Sequence, residues 1–383
     1  MALKLASALS VLLPRNPRKA CVPALRLLFL LLFCLLLSAC QSRDSADYIF
    51  DNYLYRLSNS LQVEKVSALP AYSLLSYPAR RDLQKDIPRI NINLLDFLRL
   101  SECELQRHVG QRNGALGRVM GATQQLIYDA IFLSLARQCL TQLQAGSALA
   151  NTLETAYKHK QKYLPASMWN ASFASKEFSY LFSLGATPLT LTAAKEQPLQ
   201  LINSLKQLQQ GYLQLLESDL FNEGLIDKPL PDKKAAAVFL DNIESYYQVV
   251  ESSKRLGEIR LSLQTATYNL QQADRALYER IEYLPLCQKQ QTNNQFTIVD
   301  NVFHKYYIGQ VQPYLAALHQ QSNSVFLEID GLLNIQQAPS NIVSFWNELY
   351  RNDDSEWQRF NRAIKTHTLN WQALLKQCGM LPS

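Results

Sequence analysis

Six apolar residues, Val249, Leu256, Leu263, Leu270, Leu277 and Leu284, recur at intervals of seven, with Ile259, Ala266 and Ala273 three residues after three of them. Apolar side chains at that period form one stripe of a helix, and another helix must cover it. Alanine at the second position allows close approach. A second series at the same interval, Trp357, Ile364, Trp371 and Cys378, supplies the candidate partner. The seam predicts one helix over 233–284 with the C-terminal helix lying along it. An intermolecular coiled coil would bury the same stripe, but the other apolar helices of the chain favour an internal bundle.

The rest of the chain reads as helix almost throughout, with only 12 Gly among 383 residues and few alternating runs. Helical spacing begins at Asp47, where Tyr48, Ile49, Tyr53, Leu57 and Leu61 share a face. It returns over 93–112, 123–143, 147–163, 167–184, 198–217, 299–321, 340–350 and 355–377. Residues 67–90 hold Pro70, Pro78 and Pro88 and should form an extended connector. Breaks are expected at Leu164-Pro165, over 185–188, and at the KPLP stretch 228–231, with Asp232 as an N-cap candidate. The last break is the best boundary between an N-terminal lobe, 47–228, and a C-terminal lobe, 229–383; one continuous domain, 47–383, is the alternative. The expected fold is an all-α multi-helix bundle, with the heptad-seamed helix in its C-terminal half and a disulfide-pinned helical hairpin in its N-terminal half.

The N-terminus has a different logic. The apolar run 27–37 is eleven residues long, too short for a bilayer span of roughly 20. Behind a segment with Lys4, Arg15, Arg18, Lys19 and Arg26 and no acidic residue, it has the layout of an export signal. Its end, Leu37-Ser38-Ala39-Cys40, resembles the lipobox of bacterial lipoproteins. That resemblance implies a diacylglyceryl group on the Cys40 thiol, cleavage after residue 39, and a further acyl chain on the freed amine. Several acyl chains make a lasting tether where one does not. Gln41, rather than Asp, after the cysteine resembles lipoproteins sent to the outer membrane. The expected layout is a signal over 1–39 and an anchor with short linker over 40–46, and the expected location is the outer membrane, facing the periplasm.

Cleavage alters the charge. Five of the 38 basic residues lie in 1–39, which leaves 33 against 32 acidic in the mature chain. The basic excess thus belongs to the signal, and no Lys/Arg run with interleaved aromatics points to nucleic acid. Four cysteines remain beyond Cys40: Cys103, Cys139, Cys287 and Cys378. An even number in an oxidising compartment reads as disulfides. Three connectivities are possible. Sequence position favours Cys103–Cys139, symmetric about Gly121 as a hairpin tip, with Cys287–Cys378. A zinc site would want close C-x-x-C pairs, and there are none.

Catalytic signals are thin. None of the five histidines forms HExxH, and there is no G-x-S-x-G, GxxxxGK[ST] or GxGxxG. The carboxylate pairs Glu279/Glu282 and Asp353/Asp354 are better explained by solvated helix faces and caps. One anomaly is the stretch 107–121, where four of the twelve glycines accompany Arg107, Arg112 and Arg118. Glycine-rich turns with arginine can hold an anion; the bland reading is a hairpin tip with solvated arginines. Arg80-Arg81 would join that cluster only if the connector folds back.

The strings YPARRDL, RNGALGRVM, VQPYLAALHQ and NRAIKTHTLNWQALLKQCG resemble the gammaproteobacterial lipoprotein family designated domain of unknown function 3080, over about 47–380. The resemblance implies an exported protein with Cys40 at the anchor position, and it brings no catalytic residue. Two function classes stand. One is a non-enzymatic helical scaffold or adaptor, held to the membrane by its lipid, that binds another envelope component. The other is a ligand-binding or hydrolytic protein using the Arg/Gly-rich hairpin. No metal and no cofactor beyond the covalent lipid is expected.

Overall fold

A computed structural model describes residues 43–63, 73–90, 93–103, 105–115, 117–185, 187–217 and 233–380. Cys40, the signal, the KPLP break and Asp232 lie outside the described residues. Among those residues there is helix and no strand.

Helices begin where short polar side chains can cap them. Ser45 accepts from Tyr48 N at the start of α1 (Ala46–Leu61), and Ser147 from Ala150 N at the start of α6 (Ala148–Ala171). Ser175 accepts from Phe178 N for α7 (Lys176–Leu181), and Thr190 from Ala193 N for α8 (Leu191–Lys195). Ser355 accepts from Gln358 N for α15 (Glu356–Gln377). Between α1 and α6 lie α2 (Arg80–Leu83), α3 (Leu94–Arg99), α4 (Leu105–Asn113) and α5 (Ala122–Leu140). After α8 come α9 (Leu199–Glu217), α10 (Lys233–Ser252) and α11 (Arg255–Tyr278), then α12 (Asn294–Val302), α13 (Gln312–Asn334) and α14 (Ser340–Trp346).

The seam forms as its spacing requires. Leu256, Ile259, Leu263, Ala266, Leu270, Ala273 and Leu277 are all fully buried, and α15 packs along α11, with Glu356 bonded to Arg260 and His367 to Asp274. The buried rings of Trp357 and Trp371 meet aromatic side chains of α13 (Phe326) and of the π segment before it (Phe303, Tyr307). The ends of the series differ from expectation. The helix stops at Ser253-Lys254, so Val249 belongs to α10 and is half-buried, while Leu284 is 50% exposed. The Ser252 hydroxyl donates to Val249 O, a local bond that competes with helix propagation. Pro165 has the opposite outcome: α6 runs through it as one helix, because packing of both its halves outweighs the lost hydrogen bond. The expected helix over 299–321 is part of a longer rod, 294–334, with a π segment at Phe303–Val311 between α12 and α13.

Both disulfides are as expected, Cys103–Cys139 and Cys287–Cys378, with Cα separations of 5.6 and 5.0 Å. The first arm of the hairpin is not one helix. Cys103 takes an extended backbone conformation after a 3₁₀ turn, Leu100–Glu102, and the chain restarts as α4. Gly121 opens α5 at the hairpin tip.

The connector over 73–90 is extended apart from α2, and polar side chains strap it to the helices. Asn170 donates to Lys85 O and accepts from Lys85 N, both at 2.8 Å. The Trp169 indole donates to Leu83 O at 2.7 Å, and the Tyr77 hydroxyl to Phe173 O at 2.6 Å. Apolar residues from α1 to Cys378 form one contiguous core, in which α1 packs against α11 and α12.

Candidate functional site

The hairpin that the sequence singles out forms one wall of a cleft of 730 Å³ between α4, the following 3₁₀ turn, α5 and α10. Apolar side chains dominate it: Met120, Ile127, Tyr128 and Ile131 face His108, with Glu244 across from α10. Gly117 makes this wall possible. A Cβ there would come within 2.4 Å of the Arg112 and Gln111 carbonyl oxygens, so only glycine lets the turn fold back onto the end of α4.

Tyr128 is the centre of the wall. His108 stacks on its ring at 4.3 Å and shares a hydrogen bond with its carbonyl oxygen at 3.0 Å. Burial holds the His108 pKa below its ordinary value, so the ring is neutral at pH 7. Burial likewise pushes the Tyr128 hydroxyl up, so it remains a neutral phenol. The Lys160 ammonium lies 5.5 Å and the Arg112 guanidinium 6.0 Å from the centroid of the Tyr128 ring.

Next to the wall, Asp129 is buried and saturated. Its Oδ1 accepts from Lys160 Nζ at 2.6 Å and from Gln125 Nε2 at 2.7 Å, and its Oδ2 accepts from the Ser167 hydroxyl at 2.7 Å. A serine, a lysine and a carboxylate so close invite a nucleophilic reading. The Ser167 proton, however, is directed at the carboxylate rather than at the amine, and Ser167 is 2% exposed. The arrangement is a buried cross-link between α5 and α6.

A second polar group joins the two ends of the chain. His367 and Asp274 are 2.6 Å apart through Nδ1, and His367 Nε2 is 2.8 Å from the Tyr53 hydroxyl. The Trp371 indole can only donate, and it does so to Tyr53 Oη at 2.9 Å. The Tyr53 oxygen that takes this bond keeps both its proton and a second lone pair for Nε2, so the direction of the Tyr53–His367 bond follows the tautomer of the ring. An Asp–His–hydroxyl order resembles a catalytic relay, but Tyr53 and His367 are fully buried, and burial raises the Tyr53 pKa well above its ordinary value. A third group is the ion pair of Arg260 and Glu356. Arg260 donates to both carboxylate oxygens, at 3.0 and 2.7 Å, and to Leu75 O at 2.8 Å. It holds the connector on α11 and α15.

Of the arginines proposed for an anion, Arg107 is exposed and Arg112 stands beside Tyr128; the Arg118 side chain lies outside the described residues. Neither Arg107 nor Arg112 is among the described residues that line the cleft. Arg80 does not join them, since its Nε donates to Ala174 O at 3.4 Å. The cleft itself had only one signal in the sequence, the cluster of glycines; Glu244 and the apolar face of α5 are brought to it by tertiary packing. Among the described residues, no group of three or more His, Cys, Asp and Glu gathers as metal ligands would. None of the described helices is long and apolar enough to cross a membrane.

The architecture defines a disulfide-pinned, all-α helical protein with an apolar cleft at its N-terminal hairpin. The family described as "Protein of unknown function (DUF3080)" matches residues 50–382, and the chain belongs to it. No curated protein and no solved structure matches the chain.

Proposed function

We propose that this is an envelope protein, tethered by a lipid on Cys40 to the outer membrane and facing the periplasm, which acts as a non-enzymatic scaffold. Its cleft between α4, α5 and α10 would receive an apolar segment of another envelope protein. The observation that carries the reading is a contrast. The polar clusters with catalytic composition are buried and closed on themselves, while the open cleft has an apolar wall. The anchor is supported by the lipobox-like end of the apolar run.

In-cell crosslinking from a photoreactive residue at Gln124, on the cleft wall, tests the reading. It should trap one envelope protein, the adduct should vanish with Ile127→Asp, and a probe at exposed Gln320 should not give it. The same adducts from both positions, or an adduct that survives Ile127→Asp, would remove the scaffold reading.

A second reading, a small anionic ligand held by the hairpin, is favoured by Arg112 beside the Tyr128 ring. Calorimetric titration with inorganic phosphate should then give heat that Arg112→Ala abolishes. No heat with the unaltered protein would leave the hairpin as a cleft wall alone.

A further inference from the structure

Four chain segments meet where α1 begins. The Asp44 carbonyl accepts from Leu191 N at 2.8 Å, and its carboxylate from Thr192 N at 3.1 Å, so the starts of α1 and α8 lie side by side. Arg255, at the start of α11, donates to Ala193 O at 3.3 Å. Two residues on, a Cβ at Gly257 would come within 2.1 Å of Ser183 O, which places the loop 183–185 at the same end. The opposite end of α1 is about 20 Å away at 1.5 Å per residue. There Ser60 O accepts from Gln295 at the start of α12.

The end where α1 begins exposes apolar side chains. Leu199 is 61%, Leu184 49% and Tyr180 47% exposed, and Arg43, Lys195 and Lys254 are exposed around them. The acids there are Asp44, which caps α8, Glu258, which pairs with Arg255 at 3.7 Å, and exposed Glu196. Beside Tyr180 are also Glu177 and the Glu251 that pairs at 2.9 Å with Lys176, whose ammonium lies over the Tyr180 ring.

We propose that this end is the membrane-facing surface of the protein, with Leu184, Leu199 and Tyr180 seated in the headgroup layer of the bilayer that holds the lipid. The proposal rests on the lipid-anchor reading above. Four peptide steps separate Cys40 from Asp44, at most about 14 Å of extended chain. That reach decides the occupant. A folded partner of 100 residues has a radius of gyration of about 13 Å and does not fit in such a gap; a bilayer surface does. The side chains also suit it: leucines enter the acyl boundary, tyrosine sits at headgroup level, and basic groups meet lipid phosphates.

The test uses the lipidated mature protein in phosphatidylethanolamine/phosphatidylglycerol vesicles that contain nitroxide-labelled lipid. The native cysteines of the folded chain are paired, so an environment-sensitive fluorophore can be placed on one added thiol: Leu199→Cys, Lys195→Cys as a second position on the same end, or exposed Thr297→Cys near the opposite end. Fluorescence at 199 and 195 should be quenched several-fold more strongly than at 297. Equal quenching at all three positions, in protein that floats with the vesicles, overturns the assigned surface and leaves the anchor standing. Protein that does not float overturns both.

Discussion

At the scale of single residues, the most consequential placement is a charge pair with almost no solvent. Arg260 and Glu356 have side chains 0% and 1% exposed, and each depends on the other and on Leu75 for its hydrogen bonds. Removing one partner strands the other, which typically costs about 3–5 kcal/mol, whereas replacing both by apolar residues is often neutral. Glu356→Ala should therefore lower the urea midpoint far more than Arg260→Met with Glu356→Leu. The reverse order would mean that Leu75 alone satisfies the guanidinium. A second residue-scale expectation concerns acid. His108, His159 and His319 are held below the ordinary pKa of 6.5, in each case chiefly by burial. The native state resists protons that the unfolded chain accepts, so this contribution is complete above about 6.5 and is lost as pH falls below it. Urea midpoints should drop between pH 7.5 and 5, and His108→Gln with His319→Gln should shallow the drop. These surroundings were not legible beforehand: a lone histidine gives no sign that its ring will be half-buried, as His108 and His159 are, or lie against an aromatic such as Trp357 while still exposed, as His319 does.

Helices were more legible than sites. The seam at 256–277 and its partner α15 could be read because both repeat over several turns, and repetition is what packing along an axis demands. Starts marked by Ser45, Ser147, Ser175, Thr190 and Ser355 are legible in hindsight as caps. Pro165 was misleading because its cost is local while the compensation, the burial of Leu164, Met168 and Trp169, is tertiary. Pro165→Ala should accordingly stabilise the protein, by up to about 3 kcal/mol, measured as a higher denaturation midpoint. A lower midpoint would show that the proline ring itself contributes to the packing around Lys160, Ser167 and Asp129. The hairpin disulfide closes a loop of 36 residues, worth about 4 kcal/mol on the chain-entropy model. Cys103→Ser with Cys139→Ser should lose most of that. An unchanged midpoint would mean that α4 stays on α5 through packing alone.

Across the whole molecule, what the sequence withheld was mostly the meeting of distant segments. The Tyr53, Asp274, His367 and Trp371 group draws on α1, α11 and α15, separated by up to 318 positions, and no periodicity announces such a contact. The cleft is of the same kind, since Glu244 reaches it from a helix more than a hundred residues beyond the hairpin. The proposed N-terminal anchor rests on local chemistry alone, the four residues Leu37-Ser38-Ala39-Cys40, which lie outside the described residues. Cys40→Ser should abolish metabolic labelling by a fatty acid and leave an uncleaved precursor. Equal labelling of both forms would end the lipobox reading.

The contact of Tyr53 on α1 with His367 and Trp371 on α15 also has a consequence for synthesis. On the ribosome Tyr53 precedes His367 by 314 residues and Trp371 by 318, so its hydroxyl waits through that length for the side chains it bonds. A chain that stops before α15 holds the Tyr53 hydroxyl without His367 or Trp371 to bond it. Once α15 has been made, the second disulfide ties Cys378, just beyond it, to Cys287. A stop codon before α15 should therefore leave Tyr53 and the α11 seam uncovered, and such a chain should be cut by proteases faster than the full one.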